Sequence, residues 1–381
     1  MNITVFTVVM SLVWSGIFFL IFYFARKSTG MVGICSITGM IVLYLMCILR
    51  LILPVEFPWT KMVRWPAGMN WIKSALDSNI LLSGWGISWS KILLGVWGLG
   101  ALFFVSKYVI RYVKLTKFIK CLPKEKDERI LRILSETVND SGKSFEIRRA
   151  PNMLIPCCFG IFKKYIMLPE KEYSEEQLKY ILLHESLHLQ CNDTGVKLMT
   201  NIICSIYWWN PLVYLLRKDM NQSLEIRCDK LVVKYEGMSS REEYLKVLLN
   251  EYRYVTQVSM SEEKQFCGMM LFEKHTEPLL ERFEQLKANN MKNSRYGLVL
   301  AVIIGVASLL LSYSFVLQSG FDCPIEEIET AVGTKELNPE EMYLVEYNDG
   351  SYILYSGELQ QIVKPEHVDL LIESGVKVYK E

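Results

Sequence analysis

The sequence predicts an α-helical integral membrane protein with four transmembrane helices, an inserted mainly α (α+β) domain between the third and fourth, and a small α+β tail. Three observations support this fold class: a high apolar content, four long apolar runs, and a polar middle block with its own helix and strand patterns. The 381 residues are 51% hydrophobic with a mean hydropathy of +0.19, which is typical of membrane proteins. The 42 basic and 41 acidic side chains nearly cancel. This balance disfavours direct nucleic acid binding, because neutralising phosphates needs a clear basic excess.

Each apolar run approaches the roughly 20 residues that a helix needs to cross the hydrocarbon core of a bilayer. The first run has no preceding basic region and no small-residue cleavage signal, so it is interpreted as a retained span rather than a signal peptide. The runs cover about 4–24, 34–54, 92–110 and 297–317. We therefore expect three spans in 1–110, an inserted domain in 111–295, a fourth span in 296–317 and a small domain in 318–381.

Positive charge predicts the orientation, because short cytoplasmic loops are enriched in Lys and Arg. Three basic clusters fall on one side of the membrane if the N-terminus is outside. They follow the first span, surround the end of the third and precede the fourth: Arg26 and Lys27; Lys107, Arg111, Lys114, Lys117 and Lys120; and Lys287, Lys292 and Arg295. The inserted domain is then cytosolic, and the N-terminus, loop 55–90 and tail 318–381 are extracellular.

Loop 55–90 is rich in tryptophan, a residue that favours the membrane–water interface. Its tryptophans are Trp59, Trp65, Trp71, Trp85 and Trp89. Two interpretations stay open: the loop lies on the membrane as an anchor, or it docks against another extracellular part and passes a signal.

The inserted domain contains one pattern with chemical meaning. Ser174 and Gln177 fit a capping box that starts a helix, and apolar residues follow with helical spacing. This helix carries His184-Glu185-Ser-Leu-His188, in which the two histidines share one face and can reach a single ion. Glu185 then lies beside that ion, where it can take a proton from water. The alternative is a helix with two surface histidines.

A tetrahedral catalytic zinc ion needs a third protein ligand and one open position. No histidine follows at short spacing, since His275 is distant in sequence and His367 lies across the predicted membrane. The segment 212–235 reads as a helix, and Glu225 and Asp229 lie one turn apart on it. One of them could bind the metal while the other supports a histidine N–H.

Together these motifs resemble the bacterial antirepressor metallopeptidases of the BlaR/MecR type, which are integral regulators of the bacterial cell membrane known for sensing β-lactams. The resemblance covers about residues 1–317. It includes the four-span plan and the segments Ile155-Pro-Cys-Cys-Phe-Gly160, Tyr165-Ile-Met-Leu-Pro169, His184 to His188, Asp193, Trp209-Asn-Pro-Leu-Val213 and Glu225-Ile-Arg-Cys-Asp229. It implies a gluzincin-like metallopeptidase domain in which His184, His188 and Glu225 hold one Zn²⁺ and Glu185 is the general base.

The strand 164–168 precedes the motif helix. In zinc peptidases of this plan an edge strand pairs with an extended substrate, so Tyr165, Ile166 and Met167 are predicted to bind substrate through their backbone. The alternative is an ordinary core strand.

The tail departs from the β-lactam-sensing members, because residues 318–381 are too few for a penicillin-binding sensor domain. It reads instead as a small α+β unit. Strands at 343–347 and 352–355 flank a turn-forming Asn-Asp-Gly-Ser segment, and a helix at 365–374 and a strand at 376–379 follow.

The favoured function is a regulatory membrane zinc endopeptidase that responds to an extracellular signal. By resemblance, it cleaves a cytosolic winged-helix transcriptional repressor, itself, or both. The polar segment 289–295 is one candidate for self-cleavage, and the alternative is a simple membrane-flanking linker whose charges set the orientation. Two alternatives stay open: a housekeeping membrane protease of the heat-shock or prenyl-processing type, and a non-catalytic signalling receptor. The sequence also leaves a homodimer open.

Overall fold

The structure is a computed structural model of the whole chain, and it groups the residues into two compact units, Met1–Gln318 and Ser319–Glu381. Each unit is described by itself. The described residues are 5–55, 57–65, 79–82, 85–137, 145–151, 153–261, 279–287, 295–318, 342–346, 352–356, 359–363, 368, 371–372 and 376–380. His275, His367, Trp71, the hairpin turn of the tail and the segment 289–294 lie outside them.

Three helices of the described chain are long and apolar enough to cross a membrane: α1 (Val5–Lys27), α4 (Trp89–Cys121) and α11 (Arg295–Ser314). The predicted second span is shorter than expected. A seven-residue helix α2 (Thr29–Cys35) precedes it, and α3 covers only the 16 residues Ile37–Ile52. The break falls at Ser36, where φ is 58° and the side-chain oxygen accepts the Gly39 N–H.

Two of the candidate membrane helices, α1 and α11, pack against α3. Small residues allow the close approach: a Cβ atom added at Gly39 would lie only 2.7 Å from the Cβ of Ala301.

The predicted bounds of two spans need correction. Helix α4 continues past residue 110 to Cys121, because no helix breaker occurs before Pro123. The fourth span ends at Ser314, and Phe315–Gln318 is instead a strand, β7, paired in parallel with β1 (Lys61–Arg64). Loop 55–90 also contains an antiparallel pair, β2 (Asn79–Leu82) and β3 (Trp85–Ser88).

The domain between α4 and α11 is mostly helical with one small sheet, as predicted. Its core lies where α5, α6, α8 and α9 meet the sheet, and includes Leu178, Leu182, Val232 and Tyr244. The helices are α5 (Glu128–Thr137), α6 (Glu175–Gln190), α7 (Asp193–Ile206), α8 (Pro211–Glu236), α9 (Arg241–Ser261) and α10 (Leu279–Lys287), with a 3₁₀ turn at Met238–Ser240.

The sheet of this domain corrects one prediction. Strand β6 (Tyr165–Pro169) is the central strand, paired in parallel with β4 (Glu146–Ala150) and antiparallel with β5 (Cys157–Phe159). Tyr165, Ile166 and Met167 are buried, and hydrogen bonds to both neighbours occupy the strand. The prediction that this strand is a substrate-binding edge is therefore wrong. Its uninterrupted apolar sequence is that of a strand buried on both faces.

The second unit contains a four-stranded sheet in the order β10-β9-β8-β11. The predicted hairpin is confirmed as β8 (Met342–Glu346) and β9 (Tyr352–Ser356), and the predicted last strand as β11 (Lys377–Lys380). Strand β10 (Leu359–Val363) was not predicted. Of the predicted helix 365–374, the described residues 368, 371 and 372 are helical.

Candidate metal centre

Two helices bring the predicted site residues together. Helix α6 starts at the predicted capping box, in which the Ser174 hydroxyl accepts the Gln177 N–H and the Gln177 side chain accepts the Ser174 N–H. Its buried face then carries His184 and His188, whose Nε2 atoms lie 3.1 Å apart. Helix α8 starts at Asn210, whose side chain accepts the Leu212 N–H, and has Pro211 in its first turn.

Glu225 on α8 completes a triangle of donor atoms. Its Oε2 lies 3.4 Å from His184 Nε2 and 3.5 Å from His188 Nε2. Zinc bonds to nitrogen and oxygen of about 2.0–2.2 Å place two tetrahedral ligand atoms roughly 3.3–3.5 Å apart. Both edges to Glu225 match this spacing and the 3.1 Å edge between the two Nε2 atoms is slightly shorter, so the donor set fits one zinc ion with a fourth position left open.

Cys228 offers a further donor that the sequence reading did not consider. Its sulfur and one nitrogen of each motif histidine lie within 4.8 Å of one another. The thiol lies 3.1 Å from the His184 carbonyl oxygen, in position to donate to it. A tetrahedral zinc–thiolate site needs the sulfur at about 3.5 Å from its nitrogen partners. The Glu225 distances match a shared ion, and Cys228 is a second candidate ligand from the same helix.

Each motif histidine is also held through its other ring nitrogen. His188 Nδ1 lies 2.7 Å from Asp193 Oδ2, and Arg227 pairs with the other oxygen of that carboxylate. His184 Nδ1 lies 2.8 Å from the hydroxyl of Tyr244 on α9. Acceptors at both Nδ1 atoms place the protons there and leave both Nε2 lone pairs facing Glu225.

Asp229 supports His184 through an intermediary. Its Oδ1 is 3.5 Å from His184 Nδ1, but only 2.7 Å from the Tyr244 hydroxyl, which donates to it. Asp229 is fully buried, and Arg282 of α10 donates to both of its oxygens at 2.6 and 2.7 Å. Arg282 therefore compensates a carboxylate that would otherwise be buried without a cation.

The electrostatics favour an ionised Glu225. Burial alone would raise its pKa, but the neighbouring His188 and Lys197 hold the pKa of Glu225 well below its ordinary value. Lys197 Nζ lies 3.2 Å from Oε1, the oxygen that faces away from the triangle. Burial lowers the pKa of Lys197, yet Glu225 outweighs it and raises that pKa. A carboxylate kept charged in this way is ready to bind a cation.

Glu185 follows His184 on α6 and is 8% exposed. Burial, and next the charge of Glu185, raise the pKa values of the Cys157 and Cys158 thiols, so the carboxylate lies close to β5. Helix α6, which carries Glu185 beside His184, packs against β5.

The sequence reading missed Tyr244 and Arg282, which lie far from the motif in sequence. It also missed Lys197, which is on the next helix, α7. It gave Asp193 no role. The position of Asp193 is the sequence feature that predicts its contact with His188. An acidic residue at the start of the next helix, five residues after His188, can reach back to that imidazole.

Comparison with known proteins identifies the family. A family model described as BlaR1 peptidase M56 matches residues 62–286, which is more than half of the chain. The chain is 28% identical over 159 residues to the regulatory protein BlaR1 of Bacillus licheniformis, covering 40% of this chain and 26% of that protein. It is 24% identical over 275 residues to the methicillin resistance mecR1 protein of Staphylococcus aureus, covering 70% of this chain and 45% of that protein. The chain thus matches less than half the length of these relatives. Since the family model spans the strands and helices that carry the centre, the chain belongs to the BlaR1 peptidase M56 family.

Proposed function

We propose that the protein is a membrane-embedded zinc endopeptidase of regulatory type, with a gluzincin-like active site. The observation that carries this proposal is the triangle of His184, His188 and Glu225 donor atoms, whose edges of 3.1–3.5 Å suit one tetrahedral zinc ion. Two imidazoles and a carboxylate are a donor set that zinc accepts, and the open fourth position is the mark of a catalytic site. A zinc ion held there acts as a Lewis acid that lowers the pKa of a water molecule and polarises the peptide carbonyl.

The chain's own residues supply the remaining steps. Glu185 accepts the proton of the attacking water and passes it to the amine that leaves. Asp193 and the Tyr244–Asp229 pair keep both Nδ1 atoms protonated, which fixes the tautomer that metal binding needs. Lys197 holds the second oxygen of Glu225, which favours binding of the metal through the first oxygen alone.

Substrate pairs with β5 rather than β6 in this proposal. Strand β5 is at the end of the three-stranded sheet, lies against α6, and is close to Glu185. An extended peptide that adds to this edge gains backbone hydrogen bonds and passes beside the proposed base. The three residues Cys157–Phe159 set the length of the edge.

The regulatory part of the proposal rests on the relatives, which are named as regulatory and resistance proteins. We propose a cytosolic repressor of the winged-helix type and the chain's own segment 289–295 as substrates. The basic clusters support a cytosolic active site, with the N-terminus and the tail outside. An extracellular event sensed by the tail or by loop 55–90 is proposed to change the activity of the site.

The proposal is tested with the full chain purified in detergent and incubated with a library of quenched fluorescent peptides. We expect cleavage that stops when a chelator removes the metal and returns when zinc is added. His184→Ala should lose both the zinc and the cleavage. Cleavage that survives complete removal of the metal would overturn the proposal.

A further inference from the structure

Helix α10 connects two buried polar clusters through two adjacent residues. The Glu281 carboxylate pairs with the Arg26 guanidinium and lies 3.6 Å from Lys27 Nζ, at the end of α1. The next residue, Arg282, donates to both oxygens of Asp229 and lies 3.8 Å from Glu225 Oε2. One residue of α10 thus faces a candidate membrane helix, and its neighbour faces the metal centre.

Arg26, the partner of Glu281 on α1, is itself part of a larger buried cluster of hydrogen bonds and ion pairs. Arg26 is 1% exposed, and its Nε donates to Asp219 of α8 at 2.6 Å. Tyr44 of α3 also donates to Asp219. Helices α1, α3, α8 and α10 therefore meet in one cluster of buried polar and charged groups, in which Arg26 is the cation shared by Asp219 and Glu281.

At the metal centre, Arg282 is linked to two proposed ligands, His184 and Glu225. Arg282 is the cation that compensates Asp229, and Asp229 accepts from Tyr244, which contacts His184 Nδ1. Arg282 also adds positive charge beside Glu225. A displacement of Arg282 therefore changes two things: the hydrogen bonds that hold His184 Nδ1, and the positive charge next to the Glu225 carboxylate.

Helix α10 is suited to transmit a displacement because its next turn, on the same face as Glu281 and Arg282, is docked on the domain. Lys230 of α8 donates to Gln285 at 3.0 Å, and Leu286 is 2% exposed in the core. A helix of nine residues held in this way moves as a unit. Segment 288–294 then joins α10 to the membrane helix α11.

We propose that α10 is a positioning element of the metal centre: Glu281 fixes it to α1, and Arg282 transmits that position to Asp229 and Glu225. Metal affinity then depends on the contact between α1 and α10. This inference rests on the proposed function in taking His184, His188 and Glu225 as the metal ligands.

The test measures the zinc affinity of the full chain by competition with a chromogenic chelator. Glu281→Gln is compared with Glu284→Gln, which makes the same change of charge at an exposed position of the same helix. We expect Glu281→Gln to weaken zinc binding about 3- to 10-fold, Arg282→Ala to weaken it at least about 10-fold, and Glu284→Gln to have no effect. The double variant should be no weaker than Arg282→Ala alone, because both changes interrupt the same connection.

The cobalt-substituted proteins provide a second readout, since Arg282→Ala and Glu281→Gln should both shift the visible absorption of the ion. If Glu281→Gln does not fold, Glu281→Asp replaces it, with a smaller loss of affinity expected. Equal affinities for Glu281→Gln and Glu284→Gln, or additive effects in the double variant, would overturn the coupling. If His184→Ala binds zinc as the unchanged chain does, the ligand set itself is wrong, and the inference fails with it.

Discussion

Replacing Tyr244 with Phe tests whether the outer partners of the histidines control the metal. The change removes one hydroxyl and keeps the ring, which is 2% exposed and packs in the core of the domain. His184 Nδ1 then loses its partner at 2.8 Å, and the nearest carboxylate oxygen, Asp229 Oδ1, is 3.5 Å away. That distance is too long for a good hydrogen bond, so His184 becomes free to turn.

The magnitude follows from the two hydrogen bonds lost. The bond from Tyr244 to Asp229 involves a charged group, and such bonds contribute about 1.5–3 kcal/mol. A free energy of that size corresponds to a change of about 10- to 150-fold in an equilibrium constant. Loss of an outer-shell partner typically weakens metal binding about 10- to 100-fold, which agrees. We therefore expect the zinc dissociation constant to rise by one to two powers of ten, to order of magnitude.

The assay is a chelator competition on the full chain in detergent, with Tyr252→Phe on the same helix as the matched control. Tyr252 lies eight residues further along α9, about 12 Å away by helical rise. The control should bind zinc as the unchanged chain does. If Tyr244→Phe binds zinc equally well, the hydroxyl has no part in holding His184, and the proposed network is wrong.

Three further predictions concern the ligands, the protons and the orientation. Glu225→Gln should lose most of the zinc while Cys228→Ser keeps it, and the reverse result in a metal analysis would make Cys228 the third ligand. Burial alone lowers the pKa of both motif histidines, but Cys228 and Glu225 outweigh it and raise both, that of His184 to about 10. Protons compete with the metal for these nitrogens up to the raised pKa, so the zinc affinity should increase from pH 6 to 9. Calorimetry in two buffers should detect protons released on zinc binding at pH 7. In intact cells carrying a chain whose ten native cysteines are replaced, a thiol reagent that cannot cross the membrane should label Lys380→Cys but not Glu176→Cys, and the opposite labelling would reverse the orientation.

Local sequence patterns predicted the helix that carries His184 and His188 well because its signals lie within one helix. The capping box at Ser174, the i, i+4 spacing of His184 and His188, and the spacing of Glu225 and Asp229 all depend on the period of a single helix. The fold class followed from apolar run lengths in the same way.

Features that depend on partners remote in sequence were not predictable by this reasoning. Whether β6 is central or an edge depends on β4 and β5 pairing with it, and its sequence suits both positions. Tyr244 and Arg282 reach the metal centre only because α9 and α10 fold back on α6 and α8. The second apolar run was judged by hydropathy alone, which does not detect a chain break at a residue such as Ser36.

We propose that Glu185 is the base of a metal-dependent peptidase, and one pair of variants tests this role. Glu185→Gln and the matched control Glu176→Gln, an exposed position on the same helix, are assayed for both zinc content and peptide cleavage. We expect both proteins to hold about one zinc ion per chain, and Glu185→Gln to cleave peptide slower by roughly 10²- to 10⁴-fold, the usual contribution of a general base. Cleavage by Glu185→Gln at the rate of the control, with zinc bound, would contradict the account.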